Sequence, residues 1–246
     1  MIYYSKEVWK KYKKKGASEL SKYQAYKESV LQYSQRLSQR GYTVGTGGNI
    51  SILIEEENVI AITPTSMDYF GIHVDDICIV DFEMNILEGN YKPSIETEMH
   101  IEVYKHRRDV NAIIHTHQVY ASIFALINEP IPALFDEVTL NTGHIIEVIP
   151  YALSGSHQLS QNIVAQLSNR CNCYIIQNHG ALSLGISIEN AYRNVELLEK
   201  ISRTYYYALT SGHSITKLPD LVVARLCKML YERQDQEIAR KEAKQP

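Results

Sequence analysis

The 246-residue chain lacks what it would need to grip a polyanion or to cross a membrane. Lysine and arginine number 25 against 28 acidic residues, a formal net charge of −3. A protein that holds a nucleic-acid backbone carries a clear basic excess, so that class is excluded. The one local exception is Lys10 to Lys15, five lysines in six positions, and it reads as a solvated helix face. No apolar run approaches the ~20 residues of a membrane span. Lys6 and Glu7 interrupt any signal-peptide core, so a cytoplasmic setting is expected. Cysteine is scarce too. Cys78, Cys171, Cys173 and Cys227 offer one C-x-C but no C-x-x-C pair and no second pair nearby, which excludes a thiolate zinc site. They read as reduced, buried small hydrophobes. There is no internal repeat, no low-complexity stretch and no Pro/Gly/Ser-rich linker, so one domain over residues 1–246 is expected. Its charged tail, about 232–246, is expected to fray.

Helical and strand periods alternate along the chain. Tyr26, Val30, Tyr33 and Leu37 recur at steps of four, three and four, a stripe that predicts a helix over the first 39 residues. The glycine-rich stretch Gly41 to Gly48 ends it. Short β-type runs follow at 50–54, 59–63 and 77–82, separated by hairpin-length loops. Ser94, after Pro93, predicts an N-cap for a helix that turns Met99 and Val103 inward. Further on, strands are predicted at 111–116, 145–149, 173–177 and 181–184, and helices near 119–126 and 157–167. A long helix is marked by Ala191, Val195, Leu198, Ile201 and Tyr205, and a last one starts near Asp220. The early hairpins rule out strict βαβ alternation, so a largely antiparallel or mixed sheet with packed helices is expected.

The sharpest chemical signal is His115-Thr116-His117. On a strand, alternate side chains share a face, so both imidazoles would project side by side, their Cα atoms about 7 Å apart, and reach one divalent ion. Taken alone, the pair fits two edge histidines bonded to water somewhat better. His179 follows the apolar run 173–177, and Gly180 would allow a tight turn there. Glu96 falls in the first turn of the helix after Pro93, where acids also sit simply because they suit the helix dipole. His100 shares Glu96's helical face and reads as a surface histidine, with a supporting partner behind the metal ligands as the alternative. The segment Gly45-Thr46-Gly47-Gly48-Asn49-Ile50-Ser51 brings backbone N–H groups and an amide donor that suit an anion. It has neither the Rossmann nor the P-loop pattern. Thr65 and Ser66 add hydroxyls in a second loop.

In this order the pieces resemble the class II aldolase/adducin family, in particular its fuculose-1-phosphate aldolase-like members. The motifs are G-T-G-G-N-I-S at 45–51, I-T-P-T-S at 62–66, K-P-S-I-E at 92–96, I-I-H-T-H at 113–117, I-P-A at 131–133, P-Y-A at 150–152 and Q-N-H-G at 177–180. The likeness runs from about residue 26 to about residue 209. It implies a three-layer α/β/α fold around a central, largely antiparallel sheet. It also implies one zinc ion per subunit on His115, His117 and His179, with Glu96 as a further ligand and as the acid/base. Three imidazoles leave a position open for substrate, as a catalytic zinc site requires. The ion would act as a Lewis acid on a ketose 1-phosphate, stabilising the enediolate left when the carbon–carbon bond breaks. Gly48, Asn49, Thr65, Ser66 and Ser94 are implied to hold the phosphate. A homotetramer with sites at subunit contacts is also implied.

The chain departs from the pattern in three places, one of them Thr65-Ser66, where Thr-Gly is common. Ile95 stands where related aldolases often have serine, which removes a hydroxyl from the phosphate loop. No tyrosine follows I-P-A. Glu137 falls roughly where related dehydratases of methylthioribulose 1-phosphate place a glutamate, and Tyr231 is a candidate acid donated by a neighbouring subunit. The expectation is therefore a zinc-dependent aldolase yielding dihydroxyacetone phosphate and an aldehyde. A dehydratase or epimerase on the same scaffold is the alternative, and a non-catalytic adducin-like module a third.

Overall fold

The computed structural model describes residues 21–244. The lysine cluster at 10–15 and the start of the expected first helix lie outside the described residues. The remainder of that helix, α1, runs Gln24–Gln39 and buries Val30, Tyr33 and Leu37, the stripe of the sequence pattern. Sequestering Val30 and Leu37 completely is worth roughly 1.5–3 kcal/mol each, as an upper estimate.

Nine strands follow: β1 Asn49–Ile54, β2 Val59–Ile62, β3 Cys78–Asp81, β4 Ile86–Glu88, β5 Ala112–Thr116, β6 Ile131–Pro132, β7 Ile145–Ile149, β8 Cys173–Ile176 and β9 Gly180–Gly185. They form one sheet in the order β4-β3-β2-β1-β5-β9-β8-β7-β6. Every neighbouring pair is antiparallel except β7 and β8. The other helices are α2 Thr97–His106, α3 Val119–Ile127, α4 Asp136–Thr142, α5 His157–Val164, α6 Ile188–Thr210 and α7 Asp220–Lys244.

Strand alternation sorts the core onto two faces. Ile113 packs with Met99, Ile101 and Val103 of α2 and with Leu159 and Ile163 of α5. Its strand neighbours Ala112 and Ile114 pack instead with α1 and with Ala191 and Val195 of α6. Farther along that second face, Ile175 and Ala181 meet α3 and the later turns of α6. Helices thus cover both sides of the sheet, the three-layer arrangement expected.

Besides the short strands β4 and β6, which the sequence pattern does not mark, three elements differ from it. The helix after Pro93 begins at Thr97, with Glu96 at its N-cap position; Ser94 Oγ instead accepts the Glu96 N–H at 3.2 Å. Residues 136–142 form a helix of about two turns, too short for a periodic signal. The tail does not fray, since α7 continues to Lys244. Its charges are spent on partners elsewhere in the fold: Glu237 accepts from Asn111 Nδ2 at 2.6 Å, Arg240 pairs with Glu55 and Lys241 lies 3.8 Å from Glu55. Among the described residues, no helix is long and apolar enough to cross a membrane.

Candidate metal centre

His115 lies at the end of β5 and His117 just beyond it, and His179 sits in the loop that joins β8 to β9. Because β9 pairs with β5, with Ala181 opposite Thr116, the hairpin brings His179 over the H-x-H pair. The left-handed turn residue in that loop is Asn178, at φ 53°. Gly180 is required for another reason: a Cβ there would lie 2.4 Å from the Thr116 carbonyl and 2.6 Å from the His117 ring. Its role is close approach of two backbones rather than the tight turn expected. Gly47 serves the same purpose, since a Cβ would stand 2.7 Å from His117 Nδ1.

The three imidazoles converge. One ligand nitrogen from each lies within 4.8 Å of the others, and Nε2 of His115 and His117 are 2.9 Å apart. Glu96 enters from α2, with Oε2 3.3 Å from His115 Nε2 and Oε1 3.2 Å from His179 Nε2. His115 Nδ1 lies 2.9 Å from the Ala181 carbonyl. A carbonyl only accepts, so Nδ1 carries the proton and Nε2 turns its lone pair to the centre. Ser154 Oγ lies 3.1 Å from His179 Nε2.

Electrostatics agree with a cation receptor. Burial, with His117 adding to it, depresses the His115 pKa; burial and His179 do the same to His117. His179 is pushed down to about 4 by burial and then by His115. Glu96 is pulled the other way. Burial alone would raise it, but His115, His179 and the Asn49 amide outweigh that and hold it below the usual carboxylate range. The pull on Glu96 needs positive charge at His115 and His179, and the burial of those same rings opposes it. A bound divalent ion satisfies both requirements at once. Glu96 Oε1 and His179 Nδ1 are also buried without a hydrogen-bond partner, a cost expected to be relieved by something else in the site. The donor set of three imidazoles and a carboxylate fits a divalent transition ion.

The expected anion residues are also near one another. Ser94 N–H donates to the Thr63 carbonyl at 3.1 Å and Thr65 N–H to the Lys92 carbonyl at 2.9 Å. Ile50 and Thr63 exchange bonds at 3.1 and 3.2 Å. Gly48, Asn49, Thr65, Ser66 and Ser94 therefore line adjacent segments, with Asn49 Nδ2 donating to Glu96 Oε2 at 2.7 Å. Ile95 is exposed among them. Glu137 and Tyr231 are elsewhere in the same chain. Glu137 pairs with Lys200 at 3.1 Å, both largely exposed, and Tyr231 Oη donates to the Asn169 carbonyl at 3.3 Å.

Of the two readings of His100 the surface one fails, since the ring is wholly buried. Its Nε2 lies 2.6 Å from Asn49 Oδ1 and its Nδ1 2.7 Å from Ser51 Oγ; burial lowers its pKa to about 3. The signal was present: Asn49 and Ser51 share a face of a strand by period two, and Glu96, His100 and Tyr104 share a helical face at steps of four.

A family profile for the class II aldolase and adducin N-terminal domain matches residues 28–206. The chain belongs to the class II aldolase and adducin family. A solved L-fuculose 1-phosphate aldolase shares 31% identity at a TM-score of 0.80, covering 88% of this chain and all of that one. The 5-deoxy-D-ribulose 1-phosphate aldolase of Bacillus thuringiensis is 31% identical over 189 residues, 77% of this chain and 88% of its own length. The 3-oxo-tetronate 4-phosphate decarboxylase of Haemophilus influenzae is 30% identical over 210 residues, 82% and 96% respectively. This class II aldolase fold thus stands among lyases, with the histidine cluster at the ends of β5 and β8.

Proposed function

We propose that the chain is a metal-dependent lyase of the aldolase type, with one zinc ion per subunit, cleaving a small ketose 1-phosphate to dihydroxyacetone phosphate and an aldehyde. The observation that carries this reading is the convergence of three buried imidazoles on Glu96, whose Oε1 has no hydrogen-bond partner. His115, His117 and His179 would hold the ion, with Glu96 beside them. Bound there, it supplies positive charge against a substrate carbonyl and neighbouring hydroxyl.

The rest of the chemistry falls to the chain. Gly48, Asn49, Thr65, Ser66 and Ser94 would hold the phosphate, and the Ser94 hydroxyl, which accepts from Glu96 N–H, keeps its own proton free to donate. In the cleavage direction the C3–C4 bond breaks and its electron pair stays with C3. The C4 hydroxyl loses its proton as C4 becomes the aldehyde. Glu96 takes up a proton, in net the one the C4 hydroxyl has lost, and passes it to C3, so the count of protons is unchanged. The base for the C4 hydroxyl is not among the four clustered residues. Glu137 and Tyr231 could act only from another copy, which fits a homotetramer with shared sites. The exposed apolar Ile95 and Leu153, each beside a site residue, support such a contact.

The experiment loads purified protein with zinc, offers a panel of ketose 1-phosphates and reads triose phosphate release by a coupled assay. Metal-dependent release supports the reading. An intact carbon skeleton with loss of water would favour a dehydratase, and carbon dioxide from a 3-oxo acid phosphate would favour the decarboxylase relative's reaction. No metal retention and no turnover would leave a binding module.

A further inference from the structure

Behind Glu96 a file of hydrogen-bonded side chains runs into the core. Asn49 Nδ2 lies 2.7 Å from Glu96 Oε2, His100 Nε2 2.6 Å from Asn49 Oδ1, Ser51 Oγ 2.7 Å from His100 Nδ1, and Tyr104 Oη 2.8 Å from Ser51 Oγ. All four partners are buried.

Donor counting fixes every proton in the file. Asn49 presents its NH2 to Glu96 Oε2 and its carbonyl oxygen, which only accepts, to His100. His100 must then donate through Nε2. A fully buried ring is favoured in its neutral form, which leaves Nδ1 as an acceptor for the Ser51 proton. Ser51 has no second proton, so Tyr104 must donate to it. All four donors point towards Glu96. With His100 as the other tautomer, its bare Nε2 would turn the Asn49 amide over and set the amide oxygen against the carboxylate.

We propose that Ser51 and His100 are positioning residues: by locking the Nε2–H tautomer of His100 they hold the Asn49 amide, and through it the Glu96 carboxylate, in its working orientation. The proposal rests on the lyase reading only for its consequence in turnover; the tautomer lock stands or falls separately. Tyr104 ends the file and is not needed for the lock, because Ser51 retains its own proton without it.

The test uses metal-free, 15N-histidine-labelled protein and two-bond proton–nitrogen correlation spectra, which distinguish a protonated from a bare ring nitrogen. Wild type is expected to show His100 with Nε2 protonated and Nδ1 bare, and Tyr104→Phe to show the same. Ser51→Ala, whose fold is checked by circular dichroism, is expected to populate the Nδ1–H form. In the zinc-loaded enzyme, Ser51→Ala is expected to lower kcat roughly 10–100-fold, the range for losing an outer partner of a metal site, with KM changed less than about threefold. Tyr104→Phe should keep kcat within about threefold. A wild-type His100 protonated on Nδ1, or on both nitrogens, overturns the proposal whether or not Ser51→Ala folds. So does a folded Ser51→Ala with unchanged tautomer. The expected tautomers in a protein that cleaves no ketose phosphate would support the lock and refute the aldolase reading instead.

Discussion

Glu96 and His115 face each other across 3.3 Å, carboxylate oxygen to bare imidazole nitrogen, with neither group placed to give the other a proton. His115 has spent its proton on the Ala181 carbonyl, and Glu96 is held as an anion. Two acceptors held this close destabilise an empty site and favour a cation between them. Removing one acceptor tests that arrangement directly. His115→Ala should reduce metal retention on gel filtration to background, a larger loss than the 10–100-fold typical of an outer partner, and abolish turnover with it. Full metal occupancy in this variant would contradict the ligand assignment.

Glu96→Gln separates charge from shape. The amide has nearly the same volume, so the fold should persist, yet it can neither carry nor deliver a proton. Loss of a positioned acid/base typically costs 10²- to 10⁴-fold in rate, so kcat should fall by that order while circular dichroism stays that of wild type. An unaltered rate constant would remove Glu96 from the chemistry.

Much of this centre was legible because its signals are short-range. H-x-H on a strand, an acid beside a proline and a histidine at a strand end each carry a local period. The sequence order matched the family, and β5 and β9 then brought the parts together. What escaped was set by long-range packing. His100 looked like a surface residue because its helical period says nothing of what covers that face; β1 covers it, through Asn49 and Ser51. The tail from residue 232 looked ready to fray because its partners, Glu55 and Asn111, lie more than a hundred positions away. Gly180 was assigned to a turn that Asn178 makes, since a glycine required for close approach looks in sequence like one required for φ.

One stabilising cluster lies well apart from the centre. Arg107 donates through Nε and Nη2 to both oxygens of Asp109, at 2.8 Å each, and through Nη1 to the Cys171 carbonyl at 2.7 Å. Both side chains are about 95% buried. Breaking a buried pair leaves a lone charge in the interior and costs about 3–5 kcal/mol. Asp109→Ala should therefore lower the urea midpoint by that equivalent, with the slope of the transition unchanged. The variant should keep its metal stoichiometry at temperatures where it remains folded. A midpoint within about 0.5 kcal/mol of wild type would mean that the pair contributes nothing net.

Gly180→Ala joins fold and site in one substitution. The new methyl would fall 2.4 Å from the Thr116 carbonyl and 2.6 Å from the His117 ring. The first neighbour is backbone of β5, in register with β9 at this point, and cannot swing aside. The strands must part or the His117 ring must move. Overpacking of this kind costs about 1–3 kcal/mol, and the same shift pulls His117 out of the cluster. Gly212→Ala is the matched control: Gly212 has φ +76° with open space around it, so it carries only the left-handed penalty of about 1–2 kcal/mol. Both variants should unfold at lower urea, but only Gly180→Ala should weaken zinc in a chelator competition. Equal zinc affinity in the two would show that His117 keeps its place when β5 and β9 separate, and would argue against its tight coupling to the hairpin.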